Sequence, residues 1–295
     1  MRSWQETHKV VDESKYRLIF VCGLSGAGKS VVLHTLEDLG YYCIDNLPIS
    51  LLDKLSDQID QFPKKIAIGI SVQNQENKLS TLSECISMLN NRNITTELLF
   101  VDADVDVLTK RYSETRRKHP LSTDKVSLNE AILKEQKLLA SLNEIANLTI
   151  DTSRSSVQDL RKIIYERINE KSTATLSIQL VSFGYKHSVP RDADFVFDVR
   201  CLPNPYWEKT LRKYSGKDQP VIKFLEQQQL VSQMLEQLIS FLLNWVPKFE
   251  ADNRSYLTIA IGCTGGRHRS VYLVEKLANK FAEVERQVIV SHRDL

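Results

Sequence analysis

The sequence predicts an α/β protein built from parallel β-sheets, and three observations predict it. Short apolar runs alternate with amphipathic helical segments along almost the whole chain, a succession that pairs strands in parallel and places helices on both faces of a sheet. Two of the runs end in glycine-rich turns, and a polar stretch near residues 166–174 interrupts the pattern once. The 295 residues therefore predict two domains, each long enough to bury its own core.

The composition excludes several classes of protein. Hydrophobic residues make up 42% and the formal net charge is +2, which argues against a disordered chain and against coating of nucleic acid or membrane by bulk charge. The longest apolar stretch, residues 238–246, is too short to cross a bilayer, and the N-terminus lacks the apolar region of a signal peptide. Five scattered cysteines without a CxxC pair argue against a disulfide framework or a zinc site. We expect a cytoplasmic protein that does not enter a membrane.

The first predicted domain comprises residues 16–170, after a loose polar tail at residues 1–15. A helix over residues 30–40, closed by Gly40, follows the first apolar run. The remaining apolar runs have the length of buried strands and are separated by helical segments. The predicted strands cover residues 17–23, 41–45, 66–72, 97–103 and 147–151.

The second predicted domain comprises residues 175–295. Its strands are predicted at residues 176–184, 194–200 and 257–263, and its helices at residues 228–246 and 270–281. Apolar residues at helical spacing predict the buried face of the first of these helices. That face is expected to contain Leu230, Met234, Leu238, Leu242 and Trp245.

The first glycine-rich turn matches the pattern G-x4-G-K-[ST] between a predicted strand and a predicted helix. It reads Gly23-Leu24-Ser25-Gly26-Ala27-Gly28-Lys29-Ser30. Glycines let backbone N–H groups surround a polyphosphate, and the start of the following helix adds partial positive charge. In such loops the lysine reaches the β- and γ-phosphates and the serine hydroxyl binds Mg²⁺. The turn therefore predicts an ATP or GTP site in a P-loop kinase-like domain, although a plain strand–helix turn is the alternative.

Other groups of such a site are less specific. Besides Ser30, Asp45 and Asp102 stand at predicted strand ends as candidate Mg²⁺ ligands, and a helix cap or a turn is the alternative role for either aspartate. Arg111, Arg116 and Arg117 follow the fourth strand. There they would form a lid that neutralises phosphate charge, or they would lie on a solvated helix face.

The second glycine-rich turn also joins a strand to a helix, and it predicts an anion site. It reads Cys263-Thr264-Gly265-Gly266-Arg267-His268-Arg269-Ser270. This spacing matches C-x5-R-S, the phosphate loop of cysteine phosphatases, in which a thiolate attacks phosphorus. A small buried residue is the favoured role for Cys263, and no acid loop is evident. His292 and Arg293 either add cationic groups to the same site or belong to a frayed tail.

Several segments of the chain, taken in order, resemble one family. They are GLSGAGKS (23–30), DNLP (45–48), SETRRKHPL (113–121), IDTS (150–153), SFGYKHSVP (182–190), DADFVFDVRCLPNPYW (192–207), GCTGGRHRSV (262–271) and HRDL (292–295). Over nearly its whole length the chain is similar to the RapZ/YvcJ family of bacterial P-loop proteins. Eight matching segments in order are far more specific than the first glycine-rich turn alone.

The resemblance implies weak ATPase and GTPase activity in the N-terminal half, with residues 23–30 as the ATP loop. It also implies a C-terminal half that binds a phosphorylated metabolite through residues 263–270. In some proteobacterial members the protein is an RNA-binding adapter that presents a small regulatory RNA to a ribonuclease and so controls glucosamine-6-phosphate synthesis. Regulatory adapters of this kind often self-assemble, so a homo-oligomer is expected.

The chain departs from the family pattern at the end of the third strand. The family usually has D-V-R-N there, a segment assigned to GTP, whereas this chain has Ser71, Val72, Gln73 and Asn74. The substitutions remove a carboxylate and a guanidinium, so hydrolysis is expected to be weakened. From Arg254 onward the chain has seven basic and four acidic residues, a modest footprint for RNA. No aromatic-rich stacking platform is expected to accompany it.

Overall fold

The computed structural model describes residues 16–71, 79–92, 94–169, 176–252 and 254–295. The chain divides into two compact units, Met1–Ala174 and Thr175–Leu295. Within the described ranges, no helix has both the length and the apolar character that a bilayer crossing requires. The predicted tail at residues 1–15 lies outside the described residues.

The first unit contains a five-stranded sheet in the order β2-β3-β1-β4-β5, with every pairing parallel. The central strand β1 is buried on both faces, since Leu18, Ile19, Phe20, Val21 and Cys22 have no exposed surface. Burial on both faces explains why this strand is a continuous apolar run rather than an alternating one. The strands are β1 (Arg17–Gly23), β2 (Tyr42–Ile44), β3 (Lys65–Gly69), β4 (Thr95–Asp102) and β5 (Leu148–Asp151).

Among the described residues of this unit, six α-helices connect and cover these strands. Two of them begin at capping boxes, formed by Ser127 with Glu130 and by Ser156 with Asp159, in which each side chain bonds the other residue's backbone N–H. The helices are α1 (Lys29–Asp38), α2 (Leu52–Asp57), α3 (Leu79–Asn91), α4 (Val105–Thr115), α5 (Leu128–Glu144) and α6 (Val157–Ile164).

The second unit contains a four-stranded sheet in the order β7-β8-β6-β9, again with every pairing parallel. The predicted α/β class with parallel sheets is therefore confirmed. The strands are β6 (Ser177–Gly184), β7 (Phe195–Asp198), β8 (Tyr256–Cys263) and β9 (Val288–His292), and the helices are α7 (Gln219–Glu226), α8 (Gln229–Ala251) and α9 (Arg269–Glu283).

Strand β9 was not among the predicted elements. It pairs with β6 from Ile178–Val288 to Ser182–His292, so the end of the chain is part of the sheet rather than a frayed tail. All five residues of β9 are half-exposed, as an edge strand allows, and a run of only three apolar residues gives no clear alternation.

The buried face of α8 differs from the predicted one. Leu238 and Leu242 are buried as expected, but Val231 and Val246 complete the buried face, whereas Leu230 is 57% exposed and Trp245 is 42% exposed. Apolar residues occupy so many positions of this helix that their spacing alone does not select one face. The helix also continues through Pro247 to Ala251, beyond its predicted end at residue 246.

Candidate functional site

The first glycine-rich loop, residues 23–30, connects the central strand β1 to α1. Gly23 has φ of +137°, and a Cβ at this position would collide with the Val101 carbonyl group of β4, so only glycine fits here. Helix α1 begins at Lys29, and no described side chain caps it. The N–H groups at its first turn therefore have no side-chain acceptor within the described part of the chain, which suits an anion.

Lys29 lies across this loop. Its Nζ donates a hydrogen bond to the Gly23 carbonyl oxygen at 2.6 Å, so the ammonium group stands over the curve of the loop. Burial lowers the pKa of Lys29, and the nearby carboxylates of Glu135 and Asp45 oppose that shift. Ser30 is exposed beside it, with its hydroxyl available to a cation.

A buried carboxylate that sequence reasoning missed holds the outer part of this loop. Glu135 of α5 has no exposed surface and accepts hydrogen bonds from Ser25 N at 2.8 Å and from Ser25 Oγ at 2.7 Å. His119 Nε2 lies 3.1 Å from the same carboxylate. Since His119 Nδ1 accepts the Leu121 N–H at 3.1 Å, its proton is on Nε2 and is donated to Glu135.

The Glu135 carboxylate is ionised in this environment. Burial alone would raise its pKa, but the bonds from His119 and Ser25 and the charge of Lys29 outweigh burial, so the pKa is lowered. The negative charge of Glu135 thus lies beside the loop and partly balances the positive charge of Lys29. The sequence carried one signal of this role, because Glu135 stands in the same helical stripe as the buried Ala131, Ile132 and Leu139.

Of the three predicted lid arginines, the structure brings Arg111 to the loop. Its guanidinium donates to the Gly26 carbonyl at 3.1 Å and to the Thr152 carbonyl at 2.6 Å, and Thr152 Oγ1 in turn donates to the Ala27 carbonyl at 2.8 Å. The loop is therefore tied to the end of β5. Arg116 and Arg117 are exposed, and Arg116 ends α4 in the left-handed conformation with φ of +52°.

The candidate cation ligands separate into two environments. Asp45 is exposed at the end of β2 and acts on Lys29, whereas Asp102 is only 4% exposed and accepts the Ala103 N–H at 2.9 Å. Among the described residues, no group of three or more His, Cys, Asp or Glu side chains is placed to hold a metal ion. Ser30 and Asp45 are oxygen donors that fit Mg²⁺ completed by water and phosphate.

The altered segment at the end of β3 is described only in part. Ser71 is half-buried two residues after the strand. Val72, Gln73 and Asn74 lie outside the described residues.

The second glycine-rich loop, residues 263–270, connects β8 to α9 and closely surrounds the Cys263 sulfur. Cys263 Sγ accepts the Gly266 N–H at 3.2 Å and lies 3.2 Å from Ser270 Oγ. A Cβ on Gly266, whose φ is +71°, would stand 2.7 Å from Gly184 N and 2.8 Å from Asp294 Cβ. The loop is thus held against the ends of β6 and β9.

Arg269 is a buried cation that the structure places at this loop. It is 3% exposed, and its Nη1 donates to the carbonyl oxygens of Arg200 and Leu202, both at 2.8 Å. Its Nη2 donates to Thr264 Oγ1 at 3.2 Å. Burial lowers the pKa of Arg269, and the Cys263 sulfur opposes that shift, so the guanidinium faces the sulfur.

The other cationic groups predicted for this site have different contacts. Arg267 donates to the carbonyl oxygens of Tyr214 and Lys213, on a neighbouring segment. His292 bridges Ser182 Oγ and Glu275 Oε1, both at 2.8 Å. Arg293 donates to the Ser188 carbonyl, on the segment after β6. Of the cationic groups in the predicted ten-residue anion site, Arg269 therefore lies at the loop, with His268 93% buried next to it in the chain.

Comparison with known proteins gives consistent matches for both halves of the chain. Residues 16–172 match the RapZ-like N-terminal domain, and residues 176–295 match the RapZ C-terminal domain. A "Nucleotide-binding protein" of Marinobacter nauticus is 48% identical over 284 residues, covering 95% of this chain and 97% of that protein. Another of Hahella chejuensis is 48% identical over 283 residues, covering 95% and 99%.

A solved structure of shikimate kinase from Acinetobacter baumannii, in complex with shikimate, aligns with TM-score 0.37 at 14% identity, covering 55% of this chain and 97% of that one. The family assignment rests on the sequence matches. They span both glycine-rich loops and nearly all of the described residues. The chain belongs to the RapZ family.

Proposed function

We propose that the chain binds a nucleoside triphosphate at residues 23–30 and hydrolyses it slowly. The observation that carries the proposal is the loop itself: a glycine-rich turn leaves the central strand, opens an uncapped helix and is covered by Lys29. Backbone N–H groups and an ammonium group are the donors that a polyphosphate requires. The two relatives from Marinobacter nauticus and Hahella chejuensis are named nucleotide-binding proteins, which supports the proposal.

ATP is the expected ligand, with GTP the weaker one. The resemblance assigns GTP to the segment at residues 71–74, where this chain lacks the usual aspartate and arginine. Bound Mg²⁺ would be held by Ser30 and Asp45 and would neutralise phosphate charge. Arg111 already donates hydrogen bonds to the Gly26 carbonyl of the loop and to the Thr152 carbonyl after β5. Its guanidinium therefore positions the loop, and we do not assign it to a phosphate.

Calorimetric titration of ATP and GTP with Mg²⁺ tests this proposal. We expect Lys29→Ala to weaken binding at least roughly tenfold, since a charge-assisted hydrogen bond contributes about 1.5–3 kcal/mol. Lys110→Ala is the matched control, because Lys110 is exposed and pairs only loosely with Glu114 at 3.9 Å. Equal affinities of the wild type and Lys29→Ala would show that residues 23–30 are not the nucleotide site. Tighter binding of GTP than of ATP would show that GTP is the preferred ligand.

We also propose that the C-terminal unit takes a phosphorylated metabolite at the loop of residues 263–270. The start of α9 and the buried Arg269 supply the donors for its phosphate group. A phosphorylated sugar is the expected class, because the family resemblance implies a phosphorylated metabolite at this loop, and glucosamine-6-phosphate is the probe. Saturable binding of glucosamine-6-phosphate that Arg269→Lys weakens would support this assignment, and binding unaffected by the substitution would refute it.

A role as an RNA-binding adapter for a ribonuclease is a second candidate function, and one surface feature favours it. Tyr206 and Trp207 are 50% and 74% exposed and their rings contact edge to face. The Arg212 guanidinium lies 4.8 Å over the Tyr206 ring, and Lys209 and Lys213 are exposed nearby in the chain. Exposed aromatic rings among cations are the features on which single-stranded bases stack. The sequence did not predict this platform.

Binding of structured small RNA at several salt concentrations tests the adapter role. We expect Trp207→Ala to weaken binding and affinity to fall steeply as salt rises, because several phosphates would be neutralised together. Trp245→Ala is the control, since Trp245 is also exposed and lies beneath a cation, Lys248 Nζ, at 4.1 Å. Equal losses in the two variants, or binding indifferent to salt, would exclude this surface.

A further inference from the structure

The environment of Cys263 differs from that of the other buried cysteine. Burial raises the pKa of Cys22 to about 12. Burial acts on Cys263 in the same direction, but donors from Ser270 and Gly266 and the charge of Arg269 outweigh it, and the pKa of Cys263 is lowered. The sulfur thus sits in a cradle that favours the thiolate, the form that acts as a nucleophile.

The Arg269 side chain leaves one donor edge directed into the same cradle. Its Nη1 is held by two backbone carbonyls, which fixes the plane of the guanidinium. Its Nε is buried and has no hydrogen-bond partner among the described residues, and Nη2 donates to the Thr264 hydroxyl of the loop, with the Cys263 sulfur close to the same guanidinium. Nε and Nη2 form the fork that binds two oxygens of a phosphate group.

A buried unpartnered donor is costly in a folded protein, and an anion between this fork and the sulfur would satisfy it. The start of α9 adds its N–H groups at the same place. Two features therefore converge on one position beside the Cys263 sulfur, the unpartnered Nε of Arg269 and the start of α9.

We propose that Cys263 is a nucleophile that cleaves phosphoryl compounds with good leaving groups, such as aryl phosphate monoesters and the mixed anhydrides called acyl phosphates. The thiolate attacks phosphorus, so that the S–P bond forms as the bond from phosphorus to the leaving oxygen breaks. The leaving group departs as an anion that takes its proton from water. A second water molecule then attacks phosphorus, the S–P bond breaks, inorganic phosphate is released and the thiolate is restored. Arg269 holds the phosphoryl oxygens in both steps.

The restriction to good leaving groups follows from the neighbouring carboxyl group. Asp198, at the end of β7, acts on Arg269 and is paired with Arg200 at 2.7 Å. Hydrogen bonds from Arg200 lower the pKa of Asp198, so it is ionised at neutral pH and donates no proton to an alkoxide. Sugar phosphates, whose leaving oxygens need a proton, are therefore bound at the loop but not hydrolysed. The inference rests on the proposed anion site at residues 263–270 and adds a hydrolytic reaction to it.

Hydrolysis of p-nitrophenyl phosphate by the full chain tests the proposal. We expect slow turnover that Cys263→Ser abolishes and Arg269→Lys reduces at least tenfold. Cys85→Ser, which removes a half-buried thiol on α3 of the first unit, should leave turnover unchanged. No turnover by the wild type, or turnover that survives Cys263→Ser, overturns the nucleophile.

A second measurement separates the nucleophile from the anion site and does not depend on a variant's folding. Iodoacetamide at pH 6 should alkylate Cys263 of the wild type faster than Cys201, as followed by peptide mass spectrometry, and inorganic phosphate should protect it. Protection of Cys201 but not of Cys263, or no alkylation of Cys263, counts against the proposal. If calorimetry detects phosphate binding but p-nitrophenyl phosphate is not hydrolysed, the anion site is supported and only the role of Cys263 as a nucleophile is refuted.

Discussion

A single carboxylate, that of Glu135, joins the first glycine-rich loop to the segment that follows α4. It accepts the Ser25 N–H, the Ser25 hydroxyl and the His119 Nε2–H, all within a fully buried environment. The loop's shape therefore depends on a residue 110 positions away in the chain. Removing the carboxylate would leave three buried donors without an acceptor.

Glu135→Ala should lower the free energy of unfolding by at least about 3 kcal/mol, because each orphaned buried donor costs about 1–3 kcal/mol. Urea denaturation measures the change. Glu144→Ala, at the exposed end of the same helix, is the control and should stay within about 0.5 kcal/mol of the wild type. Similar losses in both variants would show that the buried network contributes nothing specific.

The same carboxylate predicts a pH dependence. The pKa of Glu135 is lower in the folded chain than the ordinary value of 4.5, so its contribution to stability is complete above that value and is lost as pH falls through the folded pKa. The difference in unfolding free energy between the wild type and Glu135→Gln should be constant near neutral pH and should shrink below about pH 4.5. A difference that stays constant into acid would mean that the carboxylate is not ionised.

For individual residues, the sequence predicts the members of the first glycine-rich loop better than it predicts which distant side chains contact that loop. The spacing of Lys29 and Ser30 places them at the start of a helix, where the structure has them. The pairing of Ser25 with Glu135 depends on the packing of α5 against the loop, which no local pattern specifies. Its one trace is a charged residue in an otherwise apolar helical stripe, an arrangement that calls for a buried partner.

Helix α8 shows how packing selects among several apolar faces. Leu242 is fully buried in the core of the second unit, whereas Leu230 on the same helix is 57% exposed. The amino-acid types are identical, so only their positions on the helix distinguish them. We therefore expect alanine substitutions at Leu242 and at Leu230 to change the free energy of unfolding by different amounts.

Leu242→Ala should lower the free energy of unfolding by about 2–5 kcal/mol, through lost burial and the cavity left behind. Leu230→Ala should cost less than about 1 kcal/mol, because little surface leaves water at that position. Denaturant titration of both variants measures the contrast. Equal losses in the two variants would mean that Leu230 and Leu242 share one buried face, as spacing alone predicted.

Among the elements, the apolar strands were predicted to within about three residues of their ends, a normal uncertainty for strand boundaries. Strand β9 was missed for a physical reason. An edge strand makes hydrogen bonds to one neighbour only, so it needs neither a continuous apolar run nor strict alternation. Its stability comes from β6, which no local window of sequence contains.

At the scale of the whole molecule, we propose that the two compact units are independently folding domains. The second unit has its own core, in which Leu180, Leu225, Leu257, Leu273 and Leu277 are almost completely buried. A fragment of residues 176–295 should therefore unfold cooperatively by itself, as differential scanning calorimetry would show. A broad transition without a heat-absorption peak would mean that this unit depends on the first.

The pairing of β9 with β6 has a consequence for the order of events during synthesis. The first unit is complete once residue 174 has been made, and domains generally fold in turn from the N-terminus as they emerge from the ribosome. The second sheet cannot be completed at that stage, because β6 lies between β8 and β9 and β9 is synthesised after all the other strands of the sheet. Until Val288–His292 is released, one side of β6 has no partner for its backbone groups. A ribosome stalled just before this segment would therefore display a nascent chain with a finished first unit and an unfinished, association-prone second one.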